Sequence, residues 1–147
     1  MSVIASFDIL FIKNNVYNFS AKSLLYEMTR GNWNFRKNDK ICYLPLNDEL
    51  FEWKEENILE SEFIEIIDKK ERNHETVGVI LYWQNTDIGI SMLIFQDCQV
   101  SFNIGINRLK LDSVNDIDIT NMNWYIEKII NCCKKFEIVE VNFNQTW

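Results

Sequence analysis

The segment Val77–Arg108 places the strongest constraint on the fold, because it has the pattern of three β-strands joined by two short turns. From Val100 to Ile106, apolar residues alternate with polar or small ones, as in a strand with one buried face and one solvated face. The two earlier runs, Val77–Gln84 and Gly89–Gln96, are almost entirely apolar, which predicts central strands covered on both faces. The short connections require antiparallel pairing.

The rest of the chain adds further strands and helices around this block. Their predicted positions are strands at Ser2–Ile12, Ile41–Leu46 and Glu137–Asn144, and helices at Ala21–Arg30, from a Ser61 cap onward, and from a Thr120 or Asn121 cap onward. Ser20 is expected to cap the first helix and Gly31 to end it. The segment 47–59 also has helical spacing, with Leu50, Phe51 and Trp53 as its apolar residues. Strands that follow one another, without strict alternation with helices, predict an α+β fold: a mainly antiparallel sheet with about three helices, in a single domain of 147 residues.

Sequence motifs that carry catalysis or cofactor binding are absent. The four glycines form neither a dinucleotide fingerprint nor a phosphate loop, and the four cysteines contain no CxxC pair. The single histidine, His74, lies in a charged helix exit with no nucleophile beside it. We therefore predict a protein that is not an enzyme, with no catalytic residue, no cofactor and no metal site, and with cysteines present as mostly buried, reduced thiols.

The charge of the chain indicates the kind of partner it binds. A net charge of −7 disfavours nucleic acid, whose binding requires positive charge, and favours a basic protein. The beginning of the chain has no charged region of a secretory signal, and its apolar run is too short for a membrane span. These features predict a cytoplasmic protein that does not contact the membrane. The last strand, if it lies at an edge of the sheet, leaves a homodimer open.

Acidic residues concentrate in one part of the sequence and give the main candidate for a partner-facing surface. Eight acids and one base lie between Asp48 and Glu65. The predicted contact residues there are Asp48, Glu49, Glu52, Trp53, Glu55 and Glu56, and a second predicted patch comprises Asp87, Asp112, Asp116 and Asp118. Trp53 has a core position as its alternative role.

A second candidate surface is the segment Arg30–Lys40, in which Trp33 and Phe35 are interleaved with basic residues. Aromatic rings that stack on bases, combined with positive charge, are typical of single-stranded nucleic-acid binding. The alternative is a solvated loop whose aromatic side chains cap the core. This segment supplies the alternative function, a non-enzymatic nucleic-acid or other binding module.

The middle of the chain resembles a known class of bacterial proteins. The tripeptide LPL at Leu44–Leu46 is followed by Trp53 in an acidic stretch, by the strand VGVILYW, and by the hairpin SMLIFQDCQVSFNIGINRL. Over Ile41–Leu109 this pattern is similar to immunity proteins of contact-dependent growth inhibition and related polymorphic toxin systems. The resemblance implies a cytoplasmic protein that binds and blocks one cognate toxin domain, commonly a nuclease, and that has no catalytic residues of its own.

Overall fold

The computed structural model describes residues 2–13, 19–112 and 116–147. The strands are Ile4–Phe11 (β1), Trp33–Asn34 (β2), Arg36–Lys37 (β3), Lys40–Tyr43 (β4), Lys54–Glu56 (β5), Val77–Trp83 (β6), Gly89–Ile94 (β7), Gln99–Ile106 (β8) and Ile138–Thr146 (β9). The helices are Ala21–Arg30 (α1), Glu60–Arg72 (α2) and Met122–Ile130 (α3), and a 3₁₀ turn at Asn131–Cys133 follows α3. This composition confirms the predicted α+β class.

All strands of the described chain belong to one antiparallel sheet. The main path of the sheet has the order β3-β4-β6-β7-β8-β1-β9, while β2 pairs with β6 and β5 pairs with β4. The predicted block of three strands is confirmed as β6, β7 and β8, which pair in sequence order. Strand β1 lies between β8 and β9, so the first and last strands are neighbours at one side of the sheet.

The helices and the main core lie on one face of the sheet. Side chains at alternate positions, such as Phe7, Met92 and Phe102, are fully buried in one cluster with residues from the three helices. On the opposite face, Ile80 and Leu93 are only half-buried. The prediction that both central strands are covered on both faces is therefore wrong over most of their length, because no helix of the described chain packs on the second face.

Helix α1 has the ends that its sequence predicts. The Ser20 side chain accepts a hydrogen bond from the Ser23 backbone N–H at 3.0 Å, and the Ser23 hydroxyl accepts one from the Ser20 backbone N–H at 2.8 Å, which completes a capping box. Gly31 is the C-cap residue. A side chain at Gly31 would collide with Cys132, because a Cβ atom there would lie 2.2 Å from the Cys132 sulfur.

The segment 47–59 is not helical, which corrects the prediction from spacing. Asn47 and Phe51 have positive φ angles of 61° and 55°, outside the helical region. The Asp48 carboxylate accepts hydrogen bonds from the backbone N–H groups of Leu50 and Glu52, and these local bonds compete with a helix. Residues 54–56 then form β5, and α2 begins at Glu60 after Leu59, not at the predicted Ser61 cap.

The remaining elements differ from their predictions in detail. The predicted loop before β4 contains the short strands β2 and β3, and Asn121 is the cap of α3. Strand β9 extends to Thr146, two residues beyond the predicted end. The four cysteines are free, and all except the half-buried Cys42 are buried, as predicted.

Candidate functional site

The net negative charge of the protein arises from one segment. The chain has 22 acidic and 15 basic residues, and residues 48–65 contain eight of the acids and one of the bases. The rest of the chain therefore has fourteen of each, so the whole net charge of −7 arises from this segment. In the structure the segment follows one edge of the sheet, first as a loop, then as β5, and then as the first turns of α2. We call it the acidic edge.

The loop at 47–53, which begins the acidic edge, exposes three large apolar side chains beside its acids. Leu50 is 75% exposed, Phe51 48% and Trp53 36%. Glu49 and Glu52 are also exposed. Apolar side chains of this size are normally buried, and a group of them at one place on the surface is typical of a protein-binding site. We call residues 47–53 the acidic-aromatic loop.

A buried lysine fixes the base of the acidic-aromatic loop. Lys70 on α2 is 1% exposed, and its ammonium donates hydrogen bonds to the Pro45 carbonyl at 2.7 Å and to Glu75 Oε1 at 3.4 Å. The same Glu75 oxygen accepts a bond from the Asn47 backbone N–H at 2.7 Å. Together with the bonds to Asp48, these contacts hold the loop at both its start and its tip. The exposed side chains are therefore presented from an ordered backbone.

Strand β5 extends the acidic edge along the sheet. Glu55 is exposed, whereas Glu56 accepts a hydrogen bond from the Tyr43 hydroxyl and lies 3.3 Å from the Lys54 ammonium. The bond from Tyr43, followed by the pairing with Lys54, lowers the pKa of Glu56 below its ordinary value. Burial, and then the hydrogen bond to Glu56, raise the pKa of Tyr43. The Glu56 carboxylate is thus engaged by neighbouring side chains of the protein, whereas the exposed Glu55 carboxylate is available to a partner.

These shifts predict how the stability of the protein depends on pH. Because the pKa of Glu56 is lower in the folded state, its contribution to stability is complete above its ordinary value of 4.5 and is lost as the pH falls through the folded pKa. We expect Glu56→Gln to lower the free energy of unfolding at pH 7 and to have progressively less effect below pH 4.5. Urea unfolding at several pH values measures this difference. Glu55→Gln is the control, and an equal, pH-independent effect of both substitutions would contradict the assignment.

Two of the four acids in the second predicted patch, Asp87 and Asp118, form ion pairs with neighbouring bases. Asp87 lies 2.7 Å from the Lys37 ammonium, and Asp118 lies 2.6 Å from Arg108 and 3.5 Å from Lys110. The hydrogen bonds from Lys37 and Arg108 hold the pKa values of Asp87 and Asp118, respectively, below the ordinary value. The other two predicted acids of this patch, Asp112 and Asp116, are exposed. A basic partner would have to compete with the existing ion pairs here.

The predicted residues of the acidic-aromatic loop lie at the opposite end of the strands from Asp87 and Asp118. Glu55 on β5 lies closer to the second patch, in a surface pocket that also contains Lys37, the ion-pair partner of Asp87. The acidic-aromatic loop follows β4 and is bonded to Glu75, just before β6 begins. Asp87 lies in the turn after β6, at the other end of that strand, and Asn107 donates a hydrogen bond to its carbonyl. Asp118 joins the same end through Arg108, which follows β8. The structure therefore brings Asp48, Glu49, Glu52 and Trp53 together, and separates them from Asp87 and Asp118.

In the segment Arg30–Lys40, one aromatic side chain is buried in the core and the other is half-buried against it. Trp33 is fully buried, and its indole N–H donates a hydrogen bond to the Lys128 carbonyl at 3.0 Å. Phe35 packs against Phe63 with ring centroids 5.1 Å apart. The side chains cap the core, which was the alternative considered for this segment.

Leu50 and Phe51 were not among the predicted contact residues, because their spacing made them apolar residues of a predicted helix. The signal that identifies them lies just before them. Asn47 and Asp48 are residue types that favour turns and compete with helical hydrogen bonds. A turn at this point argues against a helix. Without a helix, the apolar residues that follow have no common face that packs on the core.

A groove of about 680 Å³ beside α1 offers a surface of another character. Its apolar residues include Tyr26, Phe35 and Ile64, and its charged residues, Lys22, Glu27, Glu60 and Lys135, carry both signs. Of the acidic edge it includes only Glu60 and Ile64, and it contains none of the predicted contact residues.

The side chains that could take part in catalysis or metal binding are dispersed over the described chain. Burial raises the pKa of Cys132 to about 11, which keeps this thiol neutral, and His74 is exposed after the end of α2. Within residues 2–13, 19–112 and 116–147, no group of three or more His, Cys, Asp or Glu side chains is arranged to hold a metal ion. Among the described helices, none has both the length and the apolar character needed to cross a bilayer.

Comparisons with protein-family models, with curated proteins and with solved structures give no match for this chain.

Proposed function

We propose that this protein is an immunity protein that binds a cognate bacterial toxin domain in the cytoplasm and neutralises it. A nuclease is the toxin class that the charge favours, because a nuclease must be basic where it holds phosphate. The observation that carries the proposal is the acidic-aromatic loop, in which Leu50, Phe51 and Trp53 are exposed in the segment that holds the whole net charge. The resemblance of Ile41–Leu109 to immunity proteins supports the same function.

The two kinds of side chain have different roles in such a complex. Exposed aromatic residues supply the central anchors of protein interfaces, where a few side chains contribute most of the binding energy. Carboxylates around them attract a basic partner, increase the association rate and repel acidic proteins. Glu49, Glu52 and Glu55 are exposed and suited to this second role.

The order of the loop also favours tight binding. A flexible loop loses conformational freedom when it binds, and this loss subtracts from the affinity. Here Lys70, Glu75 and Asp48 already hold the backbone through hydrogen bonds. Little further ordering is required when Phe51 and Trp53 contact a partner.

Binding to the toxin domain encoded by the adjacent gene tests the proposal. We expect the purified pair to form a complex whose association rate falls as the salt concentration rises, and co-expression to protect cells from the toxin. Phe51→Ala combined with Trp53→Ala is expected to weaken binding by about 25-fold or more, the effect of losing an interface anchor. Tyr26→Ala is the matched control, because Tyr26 is a 61% exposed aromatic residue outside the acidic edge.

Two results would contradict the proposal. One is an adjacent gene product that neither binds the protein nor is inhibited by it. The other is a double variant, still folded, that binds and protects as well as the Tyr26→Ala control. The second result would leave the partner in place and exclude the acidic-aromatic loop as its contact surface.

A further inference from the structure

Strand β9 forms an edge of the sheet that is open to another strand. In the described chain it pairs with β1 and with no other strand. Natural edge strands are usually protected from pairing with other chains by a lysine, by a proline or by a short length. Strand β9 has nine residues, contains neither lysine nor proline, and has Glu140 as its single charged side chain. Val139 is 55% exposed and Val141 42%.

The backbone groups that β9 presents at this edge follow from the pairing of β1. The Phe11 N–H points toward β8, where it donates to the Cys98 carbonyl, and the Ile12 N–H points the other way, to the Glu137 carbonyl. Hydrogen-bonding directions alternate along a strand, so even-numbered residues of β1 face β9. Their register partners, which include Asn142 opposite Asp8, use their backbone groups within the sheet. The backbone N–H and C=O groups of Val141 and Phe143 therefore face the free edge.

We infer that β9 pairs with β9 of a second copy of this chain, antiparallel and about a twofold axis that passes through Asn142. In this register Val141 of each copy is opposite Phe143 of the other, which joins two apolar pairs and satisfies the four free backbone groups in each strand. Glu140 is opposite Asn144, so the two glutamates are kept apart. The pairing uses residues 140–144 and avoids the register shift that occurs opposite Leu10 and Phe11.

Strand β9 is better suited to pair with β9 of a second copy than with the strand at the opposite edge of the sheet. At that opposite edge, β5 has three residues, all of them charged. Pairing β9 with β5 would put Glu140 in the same strand pair as Glu55 and Glu56, and a head-to-tail contact of this kind forms larger rings or open filaments. Pairing β9 with itself closes the assembly at two copies. It leaves both acidic edges at the outer ends of the dimer, free to bind.

The association state of the purified protein tests the inference. Sedimentation of the wild-type chain over a range of concentrations is expected to show a shift from 17.6 kDa to about twice this mass. Val141→Pro is expected to keep the mass at one copy, because it removes an N–H that faces the free edge and not one bonded to β1. Val141→Thr keeps this N–H and is expected to dimerise like the wild type.

Cross-linking tests the register without depending on a proline. In the proposed pairing the two Asn142 Cα atoms are about 4.5 Å apart, within the range for a disulfide, whereas the two Glu140 Cα atoms are displaced along the strands by about 13 Å. We expect Asn142→Cys to form a covalent dimer on mild oxidation, and Glu140→Cys to remain uncross-linked. A wild-type chain of one-copy mass at all concentrations, or equal cross-linking of the two variants, would overturn the inference.

Discussion

Replacing Lys70 with methionine is expected to lower the free energy of unfolding by about 3 kcal/mol, because two hydrogen bonds from a buried charge are lost. The Lys70 ammonium lies 2.7 Å from the Pro45 carbonyl and 3.4 Å from Glu75, and the residue is 1% exposed. Methionine fills a similar volume but donates no hydrogen bond. The Pro45 carbonyl and the Glu75 carboxylate would each lose a partner where little water can replace it.

Chemical unfolding followed by tryptophan fluorescence measures this loss. The matched control is Lys69→Met on the same helix, because Lys69 is exposed and makes a surface ion pair with Glu65 at 3.2 Å. That substitution is expected to change the free energy of unfolding by at most about 0.5 kcal/mol. We also expect Lys70→Met, and not Lys69→Met, to make the acidic-aromatic loop more sensitive to limited proteolysis. Equal effects of the two substitutions would contradict the role assigned to Lys70.

Replacing Trp33 with alanine is expected to lower the free energy of unfolding by about 3–5 kcal/mol, the typical cost of removing a buried aromatic side chain. Trp33 is fully buried, and its ring packs edge-on against Trp83 and Trp124, with centroids 5.3 and 6.1 Å away. It also bonds through its indole N–H to the Lys128 carbonyl. The substitution therefore leaves a cavity between the sheet and α3, and it leaves the Lys128 carbonyl with the weaker hydrogen bond from the Cys132 thiol at 3.3 Å.

Trp53→Ala provides the comparison for Trp33, since it removes the same side chain from an exposed position. We expect it to lower the free energy of unfolding by about 1–2 kcal/mol, less than Trp33→Ala, because Trp53 keeps 36% of its surface exposed in the folded state. Thermal unfolding of both variants gives the measurement. A larger loss for Trp53→Ala than for Trp33→Ala would contradict the assignment of Trp33 to the core and of Trp53 to the surface.

The elements that the sequence predicts best are those whose side chains, caps and turns agree. In Val77–Ile106 the apolar pattern and the short turns favour the same antiparallel block, and the structure contains it. Helix α1 combines an apolar face with a Ser20 cap and a Gly31 end, and its bounds are as predicted. Each of these signals is local, so no distant part of the chain is needed to interpret it.

The prediction fails where a local hydrogen bond opposes the hydrophobic spacing. Leu50, Phe51 and Trp53 have helical spacing, but the Asp48 carboxylate bonds to the following N–H groups, and Asn47 and Phe51 take positive φ angles. Spacing alone does not show which of these effects is stronger. The structure contains the turn, and the buried Lys70 supports its base, since its ammonium bonds to the Pro45 carbonyl from a helix 25 residues later in the chain.

The sequence by itself determines the fold class and the confinement of the net charge to residues 48–65. Only the tertiary structure decides which carboxylates remain unpaired. Lys37 meets Asp87, and Arg108 meets Asp118, because sheet pairing brings together residues that are separated along the chain. Glu49, Glu52 and Glu55 lie on an edge where no base of the described chain reaches within ion-pair distance. Charge composition is additive along a sequence, whereas charge pairing depends on distance in the folded chain.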